Sequence, residues 1–265
     1  MENRIFQIDF DGNKYEVATT FRKQGGELLL FLHGIGCSKE SFKDIWFRDE
    51  FSDYSILALD LIGFGNSSKS DKFSYKLEDH ASICAEVVKK TFSKKIHIIA
   101  HSMGGAIGLL LPPALLSSAL TFANLEGNLS SEDCGIVSRK TENVSFQEFE
   151  KVVLPEFKDM SKSLGKGRFF LDSALPLGFY KSAESLVRWS DSGELISRFK
   201  NLACRKSYFY GEKNADMVVL HRLNSIEKVM IGGSGHFMMN DNPDEFYSRL
   251  GMFLSSRSSL SGMQR

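Results

Sequence analysis

Cysteine and proline are scarce in this sequence, at four and five residues of 265, and neither charge is in surplus, since 33 Lys+Arg balance 33 Asp+Glu. Cys37, Cys84, Cys134 and Cys204 lie far apart with no C-x-x-C pair, so neither a zinc site nor a disulfide framework is indicated. A net charge of zero leaves no electrostatic footprint for nucleic acid or an anionic membrane. No apolar run approaches the ~20 residues of a membrane span. Met1–Gly12 has no apolar stretch of the kind a secretory signal carries. These absences point to a cytoplasmic protein with reduced thiols, a monomer or homodimer without nucleic-acid or membrane partners. What is present is ordinary for a globular protein: 42% hydrophobic and 25% charged residues, which excludes intrinsic disorder and a coiled coil. The length suits one large domain, or a core domain with an insertion.

The first twenty residues spell a hairpin. Ile5, Phe6, Ile8 and Phe10 approach Asp11-Gly12, and Tyr15, Val17 and Thr19 leave it. From Glu27 the pattern changes to uninterrupted apolar runs: Leu28–Leu32, Ser55–Leu59 and Ile96–Ala100. Strands buried on both faces have this character, as in a parallel sheet covered by helices. Helical stretches at 38–47, 77–92 and 103–111 separate or follow them, the alternation expected of βαβ units and an α/β fold. After the strand-like 120–125 the rhythm stops. Residues 129–198 read as helical, with an apolar face including Phe146, Phe149, Val152 and Val153 and later Leu186, Val187 and Trp189. Strand and helix patterns resume at 207–211, 228–231 and 243–254. The division expected is a core of 1–128 and 199–265, with 129–198 a helical cap. The serine-rich end of the chain from Ser255 is too polar to bury much and is expected to be a mobile tail.

Three loops at strand ends carry chemistry, where an open α/β sheet binds its ligands. Ile98-Ile99-Ala100-His101-Ser102-Met103-Gly104-Gly105 places a serine directly between a strand and a helix. A sharp turn there holds the hydroxyl out of the sheet, and small neighbours are needed because the turn is strained. Ala100 stands where glycine is commonest, so the match is A-x-S-x-G. Phe31-Leu32-His33-Gly34-Ile35-Gly36-Cys37 allows a backbone N–H to face that serine. The oxyanion donors expected are therefore the N–H groups of Ile35 and Met103, with His33 a structural loop residue. Gly232-Gly233-Ser234-Gly235-His236-Phe237 leaves the last strand with a histidine able to reach a central serine and accept its proton.

These motifs, together with Asp60-Leu61-Ile62-Gly63-Phe64-Gly65-Asn66-Ser67 and Tyr210-Gly211-Glu212-Lys213, resemble the α/β-hydrolase superfamily in order and spacing over nearly the whole chain. The resemblance implies an eight-stranded, mostly parallel sheet with an inserted helical cap, and a Ser-His-acid triad. It also implies that Asp60 belongs to a structural turn. In most of the superfamily the triad acid is an aspartate at the position held here by Asn214, so the sequence departs from the pattern at that point. Two carboxylates can substitute: Asp216 in the same loop, and Glu126 at the entry to the cap. One branch of the haloalkane dehalogenases is similar in carrying its acid at the earlier place, and Glu126 is favoured over Asp216.

The expectation is a serine hydrolase of carboxylic esters, lactones or thioesters, with Ser102 as nucleophile, His236 as base and Glu126 as acid. No metal and no organic cofactor is implied. Acyl transfer, C–C bond hydrolysis and perhydrolysis use similar constellations, and a non-catalytic ligand-binding protein on the same fold is the alternative from another class. Dehalogenation is disfavoured, since it needs a carboxylate nucleophile. Gly165-Lys166-Gly167 lacks the spacing of a phosphate loop. Lys89, Lys90, Lys94 and Lys95 read as a solvated helix end, Cys37 as small packing, and the cap aromatics (Phe146, Phe149, Phe169, Phe170, Phe179, Tyr180, Trp189) as cap core with a possible share in an acyl pocket.

Overall fold

The computed structural model describes residues 1–91, 93–165 and 168–255. The end of the chain expected to be mobile, from 256 on, Lys166-Gly167 of Gly165-Lys166-Gly167, and Phe92 of the helix expected over 77–92 lie outside the described residues.

β1 (Glu2–Phe10) and β2 (Asn13–Arg22) form the expected hairpin. Its turn residues Asp11 and Gly12 take φ values of 47° and 71°, the left-handed pair that a two-residue turn between twisted strands requires. The remaining strands are β3 (Glu27–Leu32), β4 (Ser55–Leu59), β5 (Lys95–His101), β6 (Ala119–Leu125), β7 (Arg205–Gly211) and β8 (Glu227–Ile231). Together they form one eight-stranded sheet in the order β1-β2-β4-β3-β5-β6-β7-β8. β2 pairs antiparallel with β1 and β4, and every pairing from β4 through β3 to β8 is parallel.

The continuous apolar runs have the expected cause. Leu28, Leu30 and Leu32 of β3 point into one hydrophobic cluster, while Leu29 and Phe31 point into a second on the opposite face. Burying each such side chain contributes about 1.5–3 kcal/mol. Helices cover both faces: α1 (Leu77–Lys90) and α2 (Met103–Leu109) pack on the first cluster, and the helix Pro243–Ser255 on the second. α2 stops two residues short of the stretch expected from sequence, because Leu111 precedes Pro112 and is driven out of the helical region.

Between β6 and β7 lie the helices Ile136–Glu142, Pro176–Asp191 and Glu194–Asn201, and a helical run over 146–164. That run contains a π turn at Phe149–Val153. Phe149, Val153 and Phe157, spaced i, i+4 and i+8, share one buried helix face, and Val152 lies off it at 49% exposure. The expectation that Val152 belongs to the apolar face is corrected accordingly. Phe149 stacks on Phe179 at 5.4 Å and both are fully buried. Among the described residues, no helix is long and apolar enough to cross a membrane.

Candidate active site

Parallel pairing sets the ends of β5, β6 and β7 side by side. His101 is the partner of Leu125, and Leu125 of Phe209, so the residues that follow, Ser102 and Glu126, lie next to each other at the C-terminal ends of the strands. Ser102 turns the chain from β5 into α2 with φ 54° and ψ −124°. Its N–H donates to Leu125 O at 3.1 Å. The glycines after it are required by close approach. A Cβ on Gly104 would collide with Leu32 O, and one on Gly105 would stand 2.6 Å from Gly127 Cα. Ala100, in the place where glycine is commoner, is buried within the core, where its methyl is accommodated.

Glu126 also has a left-handed backbone, φ 42°. Among the described residues, four non-glycine residues have a positive φ, the others being Asp11, Tyr75 and Ser102. Strain of this kind costs about 1–3 kcal/mol and gathers at functional sites. The Glu126 carboxylate is buried and fully engaged. Oε1 accepts from Gly211 N–H at 2.8 Å, Asn214 Nδ2 donates to both oxygens at 3.0 and 2.9 Å, and His236 Nδ1–H donates to Oε2 at 2.8 Å. Burial by itself pushes the carboxyl pKa up; the hydrogen bonds from His236, Gly211 and Asn214, with the attraction to His236, outweigh it and hold the group below the usual carboxylate range. Asp216 is exposed, and the histidine is held by Glu126. Asn214 therefore has a role that sequence reading missed. Its amide supplies donors to the carboxylate where a second carboxylate would repel it. The signal in the sequence is an uncharged donor side chain, Asn214, shortly after β7, near the Glu126 that directly follows β6.

His236 lies beyond β8 in a loop that passes across Gly211, where a Cβ would meet the Ser234 and Gly235 carbonyl oxygens at 2.6 and 2.5 Å. The ring of His101 lies 4.6 Å from that of His236, and its Nε2–H donates to His236 O at 2.9 Å. Burial, and then the neighbouring His236, hold the His101 imidazole neutral, with a pKa well below the usual histidine range. Sequence reading passed over this residue.

Gly34 approaches so closely that an added Cβ would stand 2.9 Å from Ser102 Cβ. The loop bearing Ile35 is thus beside the serine. Among the described residues, nothing accepts a hydrogen bond from the N–H of Ile35 or of Met103. His33 donates through Nδ1–H to Gly34 O at 2.8 Å and accepts from Leu61 N–H at Nε2 at 3.0 Å, holding two loops together. Asp60 is buried against Lys39 Nζ at 2.8 Å and accepts from the N–H groups of Lys39 and Asn66. It organises its turn away from the serine, as the resemblance implied.

Ser102, His236, Glu126, His101 and Ile35 all line one cavity of about 320 Å³. Val137, Leu186, Phe169, Met217 and Phe237 supply its apolar wall. Of the seven aromatic residues singled out between 129 and 198, only Phe169 lines this wall; Phe149 and Phe179 are buried against each other among the helices between β6 and β7. Cys37 touches the cavity, but burial raises its thiol to about 12, so the nucleophilic thiolate does not form near neutral pH. Among the described residues, no three His, Cys, Asp or Glu side chains are grouped to hold a metal ion.

A buried acid on one nitrogen of a histidine, in one cavity with a serine on a strained strand–helix turn, defines a class of hydrolytic site. Residues 29–249 match the alpha/beta hydrolase family, and the chain belongs to it. Among curated proteins it is similar to Lipase 3 of Moraxella sp., 38% identical over 85 residues, covering 32% of this chain and 26% of that protein. It is also similar to the probable lysophospholipase BODYGUARD 4 of Arabidopsis thaliana, 36% identical over 109 residues, 38% of this chain and 26% of the relative. The matched stretches thus take in about a quarter of each of these relatives. Of solved structures, a carboxylesterase of Nitrososphaera gargenis superposes with a TM-score of 0.76 at 15% identity, over 94% of this chain and 97% of that one.

Proposed function

We propose that this protein hydrolyses carboxylic esters of modest size, lactones and thioesters included, through an acyl-enzyme on Ser102. Ser102 Oγ attacks the substrate carbonyl carbon while His236 Nε2 takes the hydroxyl proton. Glu126 holds the other proton on His236 Nδ1, which fixes the tautomer and stabilises the imidazolium as it forms. The N–H groups of Ile35 and Met103 receive the developing oxyanion. Collapse of the tetrahedral intermediate passes the proton to the leaving alcohol or thiol. Water then adds to the acyl group, giving a proton to His236, which returns it to Ser102 Oγ as the second tetrahedral intermediate collapses and the carboxylic acid leaves.

The observation that carries this reading is the 2.8 Å contact from His236 Nδ1 to a buried Glu126, in the cavity that Ser102 also lines. The apolar wall supports an acyl chain of limited length, and the 129–198 segment acts as a cap over it. Relatives described as a lipase and a probable lysophospholipase support ester chemistry. A panel of p-nitrophenyl esters of graded acyl length, with lactones beside them, tests the reading. Turnover of short and medium esters is expected, lost by about 10³-fold or more in Ser102→Ala. Full turnover by that variant on every cleaved ester would refute it.

A further inference from the structure

The segment Arg168–Phe170 touches both loops that flank the serine. Arg168 Nε donates to Asp241 Oδ1 at 3.1 Å and its Nη2 reaches the same oxygen. The other carboxylate oxygen of Asp241 accepts from Gly235 N–H at 2.9 Å, the residue immediately before His236. The ring of Phe169 meets that of Phe237, the residue after His236, edge-on at 4.9 Å. Phe170 N–H donates to Gly36 O at 2.8 Å, within the loop that carries Ile35. At that point Gly36 has φ 67°, and an added Cβ would stand 2.7 Å from Leu171 and 2.9 Å from Phe179. The ion pair is mostly enclosed, with Arg168 and Asp241 side chains 25% and 14% exposed.

We propose that Arg168 is a positioning residue for the hydrolysis assigned to Ser102, acting through Asp241 and the Gly235 N–H to hold the His236 loop in register. This rests on the proposed function. The physical reasoning is that His236 stands on a loop containing four small residues, Gly232 to Gly235, whose own backbone imposes little restraint. Such a loop needs fixed points. Glu126 fixes the ring, His101 fixes the carbonyl of His236, and Asp241 fixes the N–H of Gly235. Of these three, only Asp241 is itself held by a side chain from the segment between β6 and β7. The seating of that segment is thereby linked to the angle at which the imidazole meets the serine, and an ångström of misplacement there costs on the order of 10²-fold in rate.

The test compares Arg168→Ala, Arg168→Lys and Asp241→Asn with the parent protein, measuring kcat, KM and melting temperature on the best ester of the panel. Lys158→Ala, which breaks an exposed ion pair with Asp172 elsewhere on the same segment, is the control expected to keep parental activity. Arg168→Ala is expected to lower kcat roughly 10- to 100-fold, with KM changed less than about twofold and a folded protein at the assay temperature. Arg168→Lys, which keeps the charge but not the forked geometry, is expected to recover part of the loss. Parental kcat in Arg168→Ala would overturn the proposal. So would a loss that follows the unfolded fraction and that lysine does not relieve. Should the parent cleave no ester, the proposed function falls by itself. The proton NMR resonance of His236 Nδ1–H then decides the present point: broadening or loss in Arg168→Ala supports positioning, and an unchanged resonance overturns it.

Discussion

Glu126 and Asn214 make a pair whose chemistry is set by one carboxylate and one amide at 2.9–3.0 Å. Glu126→Gln removes the charge that stabilises the imidazolium, and kcat is expected to fall by about 10³–10⁴-fold. Asp216→Asn, on an exposed side chain, should leave kcat within about twofold. Steady-state kinetics on one good ester separates the two, and equal tolerance of both changes would reject Glu126 as the acid. Asn214→Asp is a sharper probe. Two carboxylates at that separation cannot both ionise near neutral pH, so one is held protonated. The expected outcome is a lower kcat and an acid limb of the pH–rate profile displaced to higher pH; a parental profile would contradict it. The sequence already held Ser102, His236 and both possible acids at identifiable places, because each follows a strand. Spacing alone left two carboxylates in play; the preference for Glu126 came from the resemblance, and the structure places His236 Nδ1 on it. That depends on the neighbouring registers of β5, β6 and β7, which no short-range pattern encodes. The same holds for His101, whose contact with His236 O joins residues 135 positions apart.

The turn from β5 into α2 shows how an element stores strain for a side chain. Ser102 occupies φ 54°, where glycine is comfortable and serine is not. Ser102→Gly is therefore expected to raise stability by about 1 kcal/mol while abolishing hydrolysis, read as a higher urea midpoint with unchanged m-value. A lower midpoint would mean that the backbone is not strained at this position. Gly104→Ala should have the opposite sign, since its Cβ has no room against Leu32 O. The strands were legible because burial on both faces leaves a mark that a single sequence retains, as at Leu28–Leu32. The helices between β6 and β7 were legible only as a helical region. Consecutive apolar residues such as Val152 and Val153 left the buried face undecided, and packing seats Val153 inward beside Phe149 while Val152 stays exposed.

For the molecule as a whole, buried imidazoles make folding sensitive to acid. His80 lies among the rings of Phe64, Phe73 and Tyr75. Burial, with a smaller contribution from His33, lowers its pKa to about 3. An unfolded chain protonates this group near the ordinary histidine value of about 6.5. Between about 3 and 6.5 the unfolded state therefore binds the extra proton, so the stability is fully present above that window and is lost as pH falls through it. His33, His97 and His101 are shifted down as well, each first by burial, and act in the same direction. Glu126, depressed below the carboxylate range, adds a loss that begins as pH falls below the ordinary glutamate value of about 4.3. Urea midpoints measured from pH 7.5 to 4.5 should fall steadily, and His80→Gln should flatten the slope. An identical slope in that variant would remove His80 from the explanation.

The most direct measurement is covalent trapping of the nucleophile. A fluorophosphonate probe reacts rapidly only with a serine that a neighbouring base activates. Digestion and mass spectrometry of the labelled protein should place one adduct on Ser102, formed within minutes, absent in Ser102→Ala and strongly slowed in His236→Ala. A protein that stays unlabelled, or that carries the adduct on another residue, would contradict the assignment of Ser102 and His236 as the reacting pair.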